Sequence, residues 1–266
     1  MNCHQDHTRI RSWMALNEEA AQLIQRTKYA EAEACLSRAL SQLEERLVEA
    51  SDRNSMKVDD NDHDDDDQFL ELCVVDAQCP ETIQSLEDLG AFVLYDKLFL
   101  VRSSSSRDNI MSTATASSSV EEKDDHRLSA NAYQFWYSAV LYNLGVCCHL
   151  LGLTSGIMDL HLTRAAYAYD SAIASLEQCD NNNSNNNTNT TCHQLWLELA
   201  LLNNSAHILS HNFCNADSCV FDMTQNLHYL RHEEYAQRKR LLDVPTVQFF
   251  RDNVQNAATH RHAPQA

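Results

Sequence analysis

Apolar residues in this chain recur at intervals of three and four, and the runs that carry this rhythm are separated by stretches with almost no large apolar residue. Leu141, Leu144, Gly145 and Cys148 share one helical face, and Ala165, Tyr169, Ala172 and Ile173 share a face of the next helix. Together they predict an antiparallel pair over 135–178, with a long turn between Gly152 and Leu160. Gly145 and Ala165 are small where the helices must approach, and Leu141 and Tyr169 fill the space beside them. The rhythm occurs twice more. Trp13, Leu16, Ala20, Leu23 and Ile24 predict a helix that ends near Arg26-Thr27-Lys28, and Ala32, Leu36, Ala39, Leu40, Leu43 and Leu47 predict its partner. Leu199, Leu202, Ala206 and Leu209, with Trp196 a turn earlier, predict the first helix of a third pair. Cys219, Met223, Leu227 and Leu230 predict the second, over 218–231. A charged helix over 233–242 and a cap over 247–254, packed through Phe249 and Phe250, close the chain.

Residues 69–102 change period. Leu70, Leu72 and Val74 alternate with Glu71, Cys73 and Val75, and the run from Ala91 to Val101 is rich in β-branched and aromatic residues. This predicts a small antiparallel β-hairpin inserted between the first and second helix pairs. Three other stretches predict disordered insertions. Residues 51–68 carry a run of aspartates that repel one another, 103–127 are rich in serine and threonine, and 180–192 form an asparagine tract. The aspartates lack the glycine-turn spacing of an EF-hand, so a solvated linker is the expectation there. The chain reads as a flexible start over 1–8, one helical domain over 9–258 and a flexible end over 259–266.

Composition sharpens the fold class. Four Gly and three Pro in 266 residues leave few turn formers for a sheet protein or an α/β enzyme, so the class is mainly α. The net charge of −18 repels phosphate, which argues against nucleic acid or an anionic membrane as partner. Residues 135–153 are long and apolar enough to span a bilayer. Ser138, Asn143 and His149 interrupt them and no Lys or Arg cluster flanks them, so a buried helix is the expectation. The ten cysteines are scattered through apolar runs, and the polar first residues hold no signal-peptide core. Both point to reduced thiols in a cytoplasmic protein, with the nucleus as the alternative.

The small-and-large alternation across each pair resembles the tetratricopeptide repeat. Gly145, Ala165 and Tyr169 carry it most fully, with Ala20 and Ala32 in the first pair and Ala206 and Cys219 in the third. The copies cover 13–47, 136–178 and 196–231, under half the chain. The resemblance implies an α–α superhelix whose first helices line a concave groove, and a protein–protein interaction module or scaffold that binds a peptide or helix there. By the family pattern the groove-facing residues include Asn17, Ala21, Tyr142, Asn143, Val146, His149, Asn203, His207 and His211. An asparagine side chain donates and accepts at once, so Asn143 and Asn203 suit the backbone of an extended peptide. Asn143 and Asn204 could equally tie neighbouring helices together. Some members of the family clamp acidic chaperone tails with lysine, arginine and asparagine. Here Asn143 is the matching residue, while Asn17, Ala21, Ala200 and Asn204 fill the other places without positive charge. The expectation is no useful affinity for chaperone tails and a preference for a neutral or basic segment.

No catalytic constellation is present: there is no Gly-x-Ser-x-Gly, no phosphate-binding glycine loop and no Rossmann fingerprint. Neither enzyme activity nor a cofactor is expected. His207, His211, Cys214 and Cys219 form the one metal-like spacing, because the two histidines stand a turn apart on a helix and could reach one Zn²⁺. Their cysteine spacing matches no zinc finger or ribbon. A zinc-stabilised helical protein is therefore the alternative reading, beside a structural subunit of an assembly.

Overall fold

The computed structural model describes residues 12–56, 70–77, 92–103, 129–155, 157–182, 192–211, 216–237 and 242–260. They form helices α1 (Trp13–Gln25) and α2 (Tyr29–Met56), strands β1 (Leu70–Asp76) and β2 (Lys97–Ser103), and helices α3 (Ala130–Thr154), α4 (Met158–Asn182), α5 (Cys192–His211), α6 (Asp217–Gln237) and α7 (Val244–His260). The fold is mainly α with a small two-stranded antiparallel sheet. Both chain ends, the serine tract and most of the acidic and asparagine tracts lie outside the described residues.

Local chemistry sets the helix boundaries. Ser12 and Ser129 cap α1 and α3, their hydroxyls accepting from Ala15 N at 3.4 Å and Ala132 N at 3.2 Å. Asp243 caps α7 by accepting from Thr246 N at 2.8 Å. The first helix ends where the sequence predicts: Thr27 takes φ 58°, its N–H donates to Ile24 O at 2.8 Å, and Lys28 N–H donates to Leu23 O at 2.9 Å. Other boundaries differ from expectation. Helix α2 continues to Met56, into the expected acidic linker, because Ala50 still packs into the core. The turn between α3 and α4 is short rather than long, spanning 155–157. Met158 and Leu160 are exposed in the first turn of α4, so that turn adds nothing to the apolar rhythm that marked the helix. The third pair's second helix and the expected charged helix are continuous through Gln237, since neither Gly nor Pro interrupts them.

Each helix packs on its successor along the chain, and α1, α3, α5 and α7 also touch one another in turn as an inner row. The hairpin lies against that row. In it Val74 opposes Phe99 and Asp76 opposes Lys97, an ion pair reinforced by Gln25, whose amide donates to Asp76 O at 2.7 Å. Central helix α3 is the one helix among the described residues long and apolar enough to cross a membrane, and 72% of its most apolar window is buried inside the fold. Its partner α2 covers Cys147 and Cys148, and Cys147 Sγ donates to Tyr29 O at 3.3 Å. Burial pushes the Cys148 thiol up to about 11 and raises that of Cys147 further, so both stay protonated.

Gly145 sits where α3 meets α4. A Cβ there would lie 2.9 Å from Tyr169 Cζ and closer still to two other ring carbons. The ring cannot swing aside freely, because its hydroxyl is engaged by His149 and Asn204. Gly145→Ala gains about 0.5–1 kcal/mol of helix propensity but forces an overpacking cost of about 1–3 kcal/mol. The expected outcome is net destabilisation, read as a lower urea midpoint. A midpoint equal to or above that of the parent would place Gly145 away from the crossing.

Candidate functional site

Each inner helix carries an asparagine where it faces β2 and the extended residues before it. Asn17 is on α1, Asn143 on α3, Asn203 and Asn204 on α5, and Asn253 on α7. All five are buried. A buried amide must find partners for both its oxygen and its nitrogen, and here the partners are mostly backbone groups of residues 93–99.

The contacts fall into three stations. At Val93, Asn253 Oδ1 accepts from the N–H at 3.2 Å, and the carbonyl accepts from Asn253 at 3.0 Å and Asn203 at 2.9 Å. At Tyr95, Asn204 Oδ1 accepts from the N–H at 2.9 Å, and the carbonyl accepts from Asn204 at 3.0 Å and the Tyr142 hydroxyl at 2.9 Å. At Phe99, Asn143 Oδ1 accepts from the N–H at 2.9 Å, and the carbonyl accepts from Asn143 at 2.7 Å and Asn17 at 3.0 Å. Every station joins two neighbouring inner helices: α7 with α5, α5 with α3, and α3 with α1. The segment therefore crosses the row in reverse chain order. Asn253 also donates to Asn203 at 2.6 Å, and Asn143 to Asn17 at 2.8 Å, so the amides are linked as well.

Side chains lock the same register. The Tyr95 ring lies 5.2 Å from that of Phe249 and 4.9 Å from that of Phe250, and its hydroxyl accepts from Trp196 Nε1 at 2.7 Å. Phe99 meets Tyr142 edge-on at 5.0 Å and Trp196 at 5.9 Å. Burial pushes the Tyr95 and Tyr142 phenols well above their ordinary range, so both remain neutral and able to donate. Phe92, Leu94, Leu98, Leu100 and Val101 are buried too, so both faces of the strand are covered.

Farther along the inner row, His149 Nε2 stands 3.0 Å from His207 Nδ1, and His149 Nδ1 stands 3.3 Å from the Tyr169 hydroxyl. One ring of the pair donates and the other accepts, so the two need complementary tautomers. Both are buried. Of the alternative zinc set, His207 belongs to this network and Cys219 is buried in α6, while the His211 side chain and Cys214 lie outside the described residues. Among the described residues no group of three or more His, Cys, Asp or Glu side chains could hold a metal ion.

The groove candidates Asn17, Tyr142, Asn143, Val146, His149, Asn203 and His207 all lie on the inner helices, and all are buried. The structure brings Asn17, Tyr142, Asn143 and Asn203 together on one extended segment, but that segment belongs to the same chain. Asn204, read with Asn143 as an alternative tie between helices, grips the Tyr95 backbone. Asn253 lies outside the predicted set; its sequence signal is an asparagine one turn beyond Phe249 and Phe250 in the closing cap. No family model, curated protein or solved structure matches the chain.

Replacing Asn143 by Ala strips the Phe99 N–H of its acceptor inside the fold, where leaving a polar group unsatisfied costs about 1–3 kcal/mol. Asn256 in α7 is exposed, and Asn256→Ala should change stability by less than about 0.5 kcal/mol. Urea unfolding of the two variants should separate them clearly. Equal, small effects would mean the Asn143 contacts contribute nothing to holding the segment.

Proposed function

We propose that the chain is a protein–protein interaction scaffold of tetratricopeptide-like helix pairs, with a groove that reads the backbone of an extended segment and holds its own residues 92–103 there at rest. The carrying observation is the bidentate grip of Asn253, Asn204 and Asn143 on the N–H and C=O of Val93, Tyr95 and Phe99. Such contacts recognise an extended backbone whatever its side chains, while the Tyr95 and Phe99 pockets select aromatic residues. The occupant carries Asp96 against Lys97 and Arg102, in keeping with a preference for neutral or basic segments over acidic tails.

A tethered occupant is hard to displace. Covalent attachment gives it an effective concentration on the order of millimolar, so a free peptide with the same contacts at micromolar concentration loses by roughly a thousandfold. On this reading an outside segment enters the groove only when the hairpin's own hold is weakened. Partners that leave the hairpin in place meet the outer surface.

The test uses a fluorescein-labelled peptide of residues 92–103. The parent protein should not bind it at micromolar concentration. Tyr95→Ala/Phe99→Ala, in which the internal segment is weakened and the groove kept, should bind it and melt at a higher temperature in its presence. Adding Asn143→Ala and Asn204→Ala should abolish both effects. A helical double variant that neither binds the peptide nor gains stability from it would contradict the proposal and leave the strand a permanent part of the fold.

A further inference from the structure

Helix α6 presents a feature that the groove does not use. His228 and His232 are one turn apart on the same face, both are exposed, and their Nε2 atoms lie 3.1 Å apart with ring centroids at 4.5 Å. We propose that these two rings form a chelate for a late first-row divalent cation: Zn²⁺, Ni²⁺ or Cu²⁺. Two imidazole nitrogens bonded to one such ion at about 2.0–2.1 Å, with an angle of roughly 90–110° between the bonds, stand about 2.9–3.4 Å apart. The pair already has that spacing, so capture requires little rearrangement of the helix or the side chains.

The two Nε2 atoms face each other at hydrogen-bonding distance. With the hydrogen on Nδ1 of each ring, both Nε2 lone pairs face the ion. Imidazole nitrogen selects Zn²⁺, Ni²⁺ and Cu²⁺ over Mg²⁺ and Ca²⁺, which prefer oxygen. Two protein ligands leave the remaining coordination positions to water, so the site is open and exchangeable, unlike a closed structural zinc site. It is separate from the buried His149–His207 pair and does not depend on what occupies the groove.

The probe is nickel chloride, because Ni²⁺ favours imidazole whereas Zn²⁺ also seeks thiolates. Calorimetric titration of the full, reduced chain should show a site that depends on both rings. The substitutions His228→Gln and His232→Gln, both at exposed positions, should each weaken that site by at least the roughly 10–100-fold that loss of a mere outer-shell partner costs. Bound Ni²⁺ should also raise the melting temperature of the parent and of neither variant, since the ion binds the helical form. Magnesium chloride should do nothing in any of the three. An isotherm unchanged by both substitutions would place the metal elsewhere and overturn the proposal, as would absence of binding to the parent.

Discussion

Three backbone carbonyls of one extended segment each receive two side-chain donors, and the inner helices stand where those donors must come from. Val93, Tyr95 and Phe99 share one parity along the chain, so their N–H and C=O groups point the same way, towards the helices. Leu98 and Leu100, of the opposite parity, stand opposite Val75 and Cys73 of β1, on either side of the Phe99–Val74 pair. A strand buried on both faces would leave one edge of backbone groups without partners. Asparagine solves this, because one side chain replaces the donor and acceptor that a neighbouring strand would have supplied. The helical row thus acts as a third strand for a two-stranded sheet.

Much else follows from that arrangement. Each station straddles two inner helices, so the segment is also a clasp between them, and α7 is tied to α5 through Val93 and Asn203 as well as through packing. The aromatic cluster of Tyr95, Phe99, Tyr142, Trp196, Phe249 and Phe250 exists because the backbone grip holds the two segment rings in register. Gly145 belongs to the same chain of dependence. Its missing side chain lets the Tyr169 ring approach α3 closely, where the phenol meets His149 and Asn204. The inner helices thus hold an extended segment of the same chain through its backbone.

Much of this was legible beforehand. Apolar periodicity located the helix pairs because each buries a continuous stripe, as at Leu16, Ala20 and Ile24 or at Ala165, Tyr169 and Ala172. Period-two alternation with β-branched residues located the hairpin. Asn17, Asn143 and Asn203 were singled out through the resemblance to the tetratricopeptide pattern, and the structure buries all three against residues 93–99. What was hidden was their partner. A groove and an extended stretch can be recognised separately, but nothing local says that the second fills the first, since that pairing spans 44 residues at Asn143 and 160 at Asn253. The start of α4 was also hidden, because Met158 and Leu160 face solvent and break the rhythm.

The central claim is that side-chain amides, rather than a neighbouring strand, hold the Val93, Tyr95 and Phe99 backbone. Native-state hydrogen exchange followed residue by residue by NMR tests it most directly. Val93 and Tyr95 precede β2, and Phe99, which stands opposite Val74 in the ladder, donates its N–H to Asn143 Oδ1, so the three amides owe their protection to Asn253, Asn204 and Asn143. The account predicts that they exchange as slowly as amides in the middle of α3, and that Asn204→Ala speeds Tyr95 most. Exchange of all three at the rate of an unstructured peptide, with α3 still protected, would contradict it.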